Sequence, residues 1–141
     1  MARDHVGGPW REPVQLRDVK CGLLGWAPDG SGVLCTDNKS TLTVVSPTGR
    51  VLWRRDLPAT YRLPAAGRYS RDGATIYIIG AREDGQRGVW GIPVGGGTPR
   101  LVVSGDDPAL SFFGNLSVGP DRLYATVSEF ESDVWVMTLR R

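Results

Sequence analysis

Histidine is almost missing from this chain of 141 residues: His5, near the N-terminus, is the only one. A Ser-His-Asp or Cys-His relay therefore has no base in the body of the sequence, and no Gly-x-Ser-x-Gly elbow is present. Cysteine is nearly as scarce, with Cys21 and Cys35 alone. Two cysteines without nearby histidine do not make a zinc site, and no cofactor is expected. No apolar run approaches the roughly 20 residues of a membrane-spanning helix, so no membrane span is expected. Charge of one sign is missing too. Seventeen basic and 15 acidic residues leave a net charge of +2, too balanced for a nucleic-acid or anionic-membrane footprint. Residues 1–9 carry Arg3 but no apolar stretch of a signal peptide and read as a flexible tail. Helical periodicity is absent throughout.

What the chain does have is turn residues, 19 glycines and 10 prolines, beside 40% hydrophobic residues. That mixture suits many short strands around a core burying roughly 68% of the unfolded surface. The stretch from Ser70 to Arg100 shows the unit. Ser70-Arg71-Asp72-Gly73 is a turn, and Ala74 to Ala81 is a β-rich run. Glu83 to Gln86 is a polar loop, Val89 to Val94 another strand, and Gly95-Gly96-Gly97 a turn before Pro99 to Val103. The pattern recurs on either side. Asp29 and Asp72 stand in matching turns 43 residues apart, and Trp90 and Trp135 match 45 apart. Four strands in a period of about 40–50 residues is the signature of propeller blades.

The expected fold is therefore all-β, a partial β-propeller of about three four-stranded antiparallel blades. Residues 10–20 read as the outer strand of a preceding blade. Blades follow over 22–57 and 68–104, and an incomplete last blade without its outer strand over 114–141. Leu57 to Ala66, with Pro58 and Pro64, and Gly105 to Gly114 read as strand-free crossings between blades. Cys21 and Cys35 read as two small buried side chains. A disulfide between them is disfavoured, because a turn centred on Asp29-Gly30 does not oppose them.

Pro28-Asp29-Gly30, then Ser70-Arg71-Asp72-Gly73 with Ile76-Tyr77, and Ser132-Asp133-Val134-Trp135-Val136-Met137 resemble the repeat of the TolB-like, WD-repeat-related propellers of bacteria. In that family a strand ends in a serine-any-aspartate-glycine turn, and the third strand opens with aspartate, hydrophobe, tryptophan. The first blade departs from the pattern, with Thr43 where Trp90 and Trp135 stand in the others. The resemblance implies structural repeat roles for Asp29, Gly30, Asp72, Gly73, Trp90, Asp133 and Trp135. It also implies a non-catalytic module that binds or scaffolds proteins or ligands. The alternative is the auxiliary propeller of a bacterial serine/threonine kinase or peptidase whose catalytic domain lies outside this chain.

In such a scaffold, the loops between second and third strands and between blades share one end, and binding residues concentrate on loops. Arg62, Arg82, Arg87, Asp106 and Phe113 are the candidate partner-facing residues, and a protein partner is expected. The carboxylate groups Glu83/Asp84, Asp106/Asp107 and Glu129/Glu131/Asp133 read as solvated loop charge. Gly95-Gly96-Gly97 opens no helix and reads as a hairpin turn rather than a phosphate cradle. Trp90 and Trp135 read as wedges between adjacent blades. An uncovered end-blade face of ~500 Å² forfeits on the order of 12 kcal/mol. The expected partners therefore include the remaining blades of a parent propeller or a second copy of the chain.

Overall fold

The computed structural model describes residues 22–37, 39–58, 61–62, 67–107 and 109–129. Among the described residues there is no helix, and the strands form three antiparallel sheets, none of them closed. The first sheet is a meander of β1 (Gly22–Trp26), β2 (Val33–Thr36), β3 (Thr41–Val45) and β4 (Val51–Asp56), paired in chain order. Its turns are built locally. Asp29 Oδ1 accepts the Ser31 N–H at 2.9 Å, and the Ser46 N–H reaches Arg50 O at 2.8 Å. Between them Thr41 to Val45 alternates β-branched and aliphatic residues, as a strand with two distinct faces does.

The second sheet follows β6 (Gly67–Tyr69), β7 (Thr75–Arg82), β8 (Arg87–Pro93) and β9 (Arg100–Ser104). A short β5 (Tyr61–Arg62) pairs with the far end of β7, on the edge that β6 also uses. The stretch from 57 to 66 was expected to be free of strands. Its two prolines instead bracket a two-residue strand that exchanges hydrogen bonds with Ala81 and Arg82.

The third sheet pairs β10 (Leu110–Val118) with β11 (Leu123–Glu129). β10 starts at Leu110, inside the stretch read as a crossing. Its ladder breaks between Phe112 and Leu116. That bulge breaks the alternation that would have marked residues 110–114 as strand. The expected strand with Asp133 and Trp135 lies outside the described residues.

The sheets pack in series. β1 lies beside β6, and β6 beside β10. Leu24, Leu34, Leu42, Val44 and Leu57 of the first sheet share one core with Ile76, Ile78, Trp90 and Ile92 of the second. On the other face of the second sheet, Ile79 and Val89 meet Leu116, flanked by Tyr77, Phe112, Leu123 and Ala125. The middle sheet is thus buried on both faces, which is why Thr75 to Gly80 reads as a nearly continuous apolar run. A third buried group, Val33, Cys35 and Val45, lies on the face of the first sheet turned away from the second.

Cys35 corrects the reading of a buried thiol: it is disulfide-bonded, and the other cysteine of the chain, Cys21, lies outside the described residues. The reason is a bulge. The β1–β2 register slips between Leu23 and Gly25, so that Leu23, not Leu24, faces Cys35. In an unbroken ladder, positions 21 and 35 fall on opposite faces. One inserted residue changes that parity.

Candidate functional site

The connections between β7 and β8 and after β9 meet at one end of the second sheet and enclose a cleft of about 580 Å³. It is lined by Asp84, Gly85, Gln86, Arg87, Gly105, Asp106 and Asp107. The first connection is a tight turn closed by the Arg82 N–H on Gln86 O at 2.9 Å. Asp84 Oδ1 caps it by accepting the Gln86 N–H at 3.1 Å. Arg87 then starts β8, and its carbonyl receives the Gly105 N–H at 2.9 Å, which ties the two connections together. Gly88 is required next to it. A Cβ there would stand 2.0 Å from Val103 O, and its φ is +153°; only glycine lets β8 and β9 approach this closely.

Arg87 and Asp106, two of the five candidate residues, therefore line one cleft. Arg82 borders it but is already engaged. Its guanidinium pairs with Asp84 at 3.2 Å and lies 5.9 Å above the Trp90 ring. The Arg87 side chain is exposed and makes no ion pair among the described residues. Arg62 sits at the same end, its backbone opposite Ala81. Phe113 belongs to β10 rather than to a loop. The aromatic that closes this region is Phe112, whose ring edge would lie 2.6 Å from a Cβ at Gly105.

The carboxylates of the cleft have local duties. Asp106 accepts the Ser104 hydroxyl, and Asp107 Oδ1 accepts the Ala109 N–H at 2.9 Å. No group of three or more metal-ligating side chains occurs among the described residues. The cleft offers three carboxylates, one guanidinium and several backbone groups, with no nucleophile–base pair. It can bind by charge and hydrogen bonding.

The repeat residues Asp29, Gly30, Asp72 and Gly73 lie at the opposite end of the sheets, in the β1–β2 and β6–β7 turns. Gly30 and Gly73 take the left-handed φ of 70° and 71° that these turns demand. Hydrogen bonds from Ser31 hold the Asp29 carboxyl below its ordinary range. The Ser70 hydroxyl and the Ala74 N–H do the same for Asp72. At Asp37, burial pulls upward but is outweighed by the N–H groups of Thr41 and Lys39, and the net shift is down. Trp90 is 3% exposed within the core between the first two sheets.

Two arginines that the sequence reading passed over bridge the sheets. Arg55 of β4 donates to the carbonyls of Pro93 and Gly97, and Arg68 of β6 donates to that of Leu24. The signal for Arg55 was its phase: Trp53, Arg55 and Leu57 alternate along one face, so the guanidinium starts from the core side. Comparison with protein-family models, with curated proteins and with solved structures finds no match to this chain.

Proposed function

We propose that the chain is a non-catalytic binding module made of consecutive β-propeller blades of the TolB-like, WD-repeat-related kind, and that its loop end faces a protein partner. The observation that carries the reading is the meeting of Arg87, the first residue of β8, and Asp106 in one cleft built otherwise from inter-strand connections. A rigid scaffold of packed sheets holding polar connections at one end is the usual design of a recognition surface. The serial packing of β1, β6 and β10 and the recurrence of aspartate-glycine turns support blades over a single folded sheet.

Arg87 is the contact that matters most, since its charge is unspent while that of Arg82 is shared with Asp84 and Trp90. The experiment uses the wild-type chain and R87E as baits in a lysate of the source cells, with captured proteins quantified by mass spectrometry. A protein enriched by the wild type and lost with R87E supports the reading. Indistinguishable profiles contradict it.

A further inference from the structure

The opposite end of the molecule holds a second cleft, about 330 Å³, between the first and second sheets. Its apolar lining includes Leu52, Val94 and the half-buried rings of Trp53 and Tyr69, and its rim carries Asp29 and Asp72. The two turns that present these carboxylates are neighbours: a Cβ on Gly73 would lie 3.9 Å from Pro28 Cγ. Each carboxylate is fixed in place, because Oδ1 of Asp29 accepts the Ser31 N–H and Oδ1 of Asp72 accepts the Ala74 N–H. Among the described residues no lysine or arginine lines the cleft. Two fixed negative charges therefore stand over an aromatic and aliphatic floor without a cation among the lining residues. The field reaches the floor: the Tyr69 phenol is pushed up first by burial and then by the charge of Asp29.

We propose that this cleft takes the side chain of a lysine presented by a protein partner. The ammonium meets the carboxylates of Asp29 and Asp72, and the butyl stem lies on Trp53, Tyr69, Leu52 and Val94. Three features select that occupant. The charge is complementary. Aromatic faces favour a cation with an apolar stem. The volume is at the small end of ligand sites, right for one side chain. The rim is exposed on both sides, at Asp29 and Ser31 and at Asp72, so a free amine would keep much of its surface in water. A side chain delivered by a folded or extended partner brings its own cover. The proposal is independent of the loop-end reading, since it concerns the other end of the sheets.

The test uses the full chain and a tetralysine peptide as probe, followed by NMR titration of the Trp53 indole N–H and the Tyr69 ring. The peptide is expected to shift both signals saturably. Its fully Nε-acetylated counterpart is expected to bind at least tenfold more weakly. The D29N/D72N pair keeps the turn acceptors and is expected to weaken binding at least tenfold. E83Q/E129Q removes the same charge at the other end, at two exposed positions outside the loop-end cleft, and is expected to leave affinity within twofold. The proposal is overturned by shifts that spare Trp53 and Tyr69, by equal affinity of the acetylated peptide, or by an equal loss in E83Q/E129Q. Binding of n-butylamine as tight as that of the peptide overturns it too, since the occupant would then be a free amine. The wild-type titration decides even if the double variant fails to fold.

Discussion

Trp90 and Arg55 hold the first two sheets together in different ways. Trp90 is 3% exposed amid Leu24, Leu34, Ile78 and Ile92, and emptying such a site costs about 3–5 kcal/mol. W90A is therefore expected to lower the urea midpoint by far more than W26A, because the Trp26 side chain is 55% exposed. Equal losses would mean that Trp90 is not a core residue. Arg55 donates two charged hydrogen bonds to the carbonyls of Pro93 and Gly97, and its removal leaves Pro93 O with only the Gly96 N–H at 3.3 Å. R55A is expected to destabilise by about 2 kcal/mol. R55K, with one compact ammonium in place of a fork, should recover only part of that. Equilibrium denaturation of both variants checks this. The role of Trp90 was legible because a tryptophan within the Val89-to-Val94 run has few places to go but a core. That of Arg55 was not, because its partners are carbonyls 38 and 42 residues away, and a backbone acceptor leaves no mark in sequence.

At the scale of elements, the aspartate-containing turns set the register, and their chemistry is visible in a sequence. Pro28-Asp29-Gly30 and Arg71-Asp72-Gly73 each place a carboxylate two residues before the N–H it accepts, a local geometry that needs no tertiary contact. The strands around these turns were legible for the same reason. Bulges were not. The slip at Leu24 and the break between Phe112 and Leu116 misled the reading of Cys35 and of residues 110–114, since a single inserted residue inverts every face beyond it. The turn carboxylates also carry a pH dependence. Hydrogen bonds hold the carboxyls of Asp29, Asp37, Asp56 and Asp72 below the ordinary aspartate range in the folded chain. A depressed carboxylate adds stability above its unfolded pKa and loses it as pH falls through the folded one. The thermal midpoint is expected to hold from neutrality down to about pH 5 and to drop below about pH 4. D29N/D72N should show a smaller drop over that range. A variant curve parallel to the wild type would show that these turns are not the titrating elements.

Over the whole molecule, the candidate site was legible in part. Arg87 and Asp106 were placed together because one starts a strand and the other follows a strand at the same end of a meander, a consequence of strand counting alone. The engagement of Arg82 with Asp84 and Trp90 and the position of Phe113 within a strand depend on side-chain directions and on a bulge, which strand counting does not supply. The disulfide at Cys35 acts at this scale as well. Cys35 is disulfide-bonded and Cys21 is the one other cysteine of the sequence; reduction of a bond between them is expected to cost about 3 kcal/mol. Intact mass of the unreduced, denatured chain should be two hydrogens lower than after reduction, with no thiol reacting before it. Two reactive thiols in the unreduced chain would refute the bond.

Three antiparallel sheets pack face to face in series, the middle one buried on both sides. Methyl-to-methyl NOEs in the isotopically labelled chain test it directly. Leu24 Cδ1 and Ile78 Cγ2 both crowd the position a Gly67 Cβ would take, at 3.0 and 3.3 Å, and Ile79 shares a core with Leu116. Cross-peaks are expected for both pairs, Leu24 with Ile78 and Ile79 with Leu116. A spectrum with either pair missing, in a chain whose amide pattern still reports the β7–β8 ladder, would contradict it.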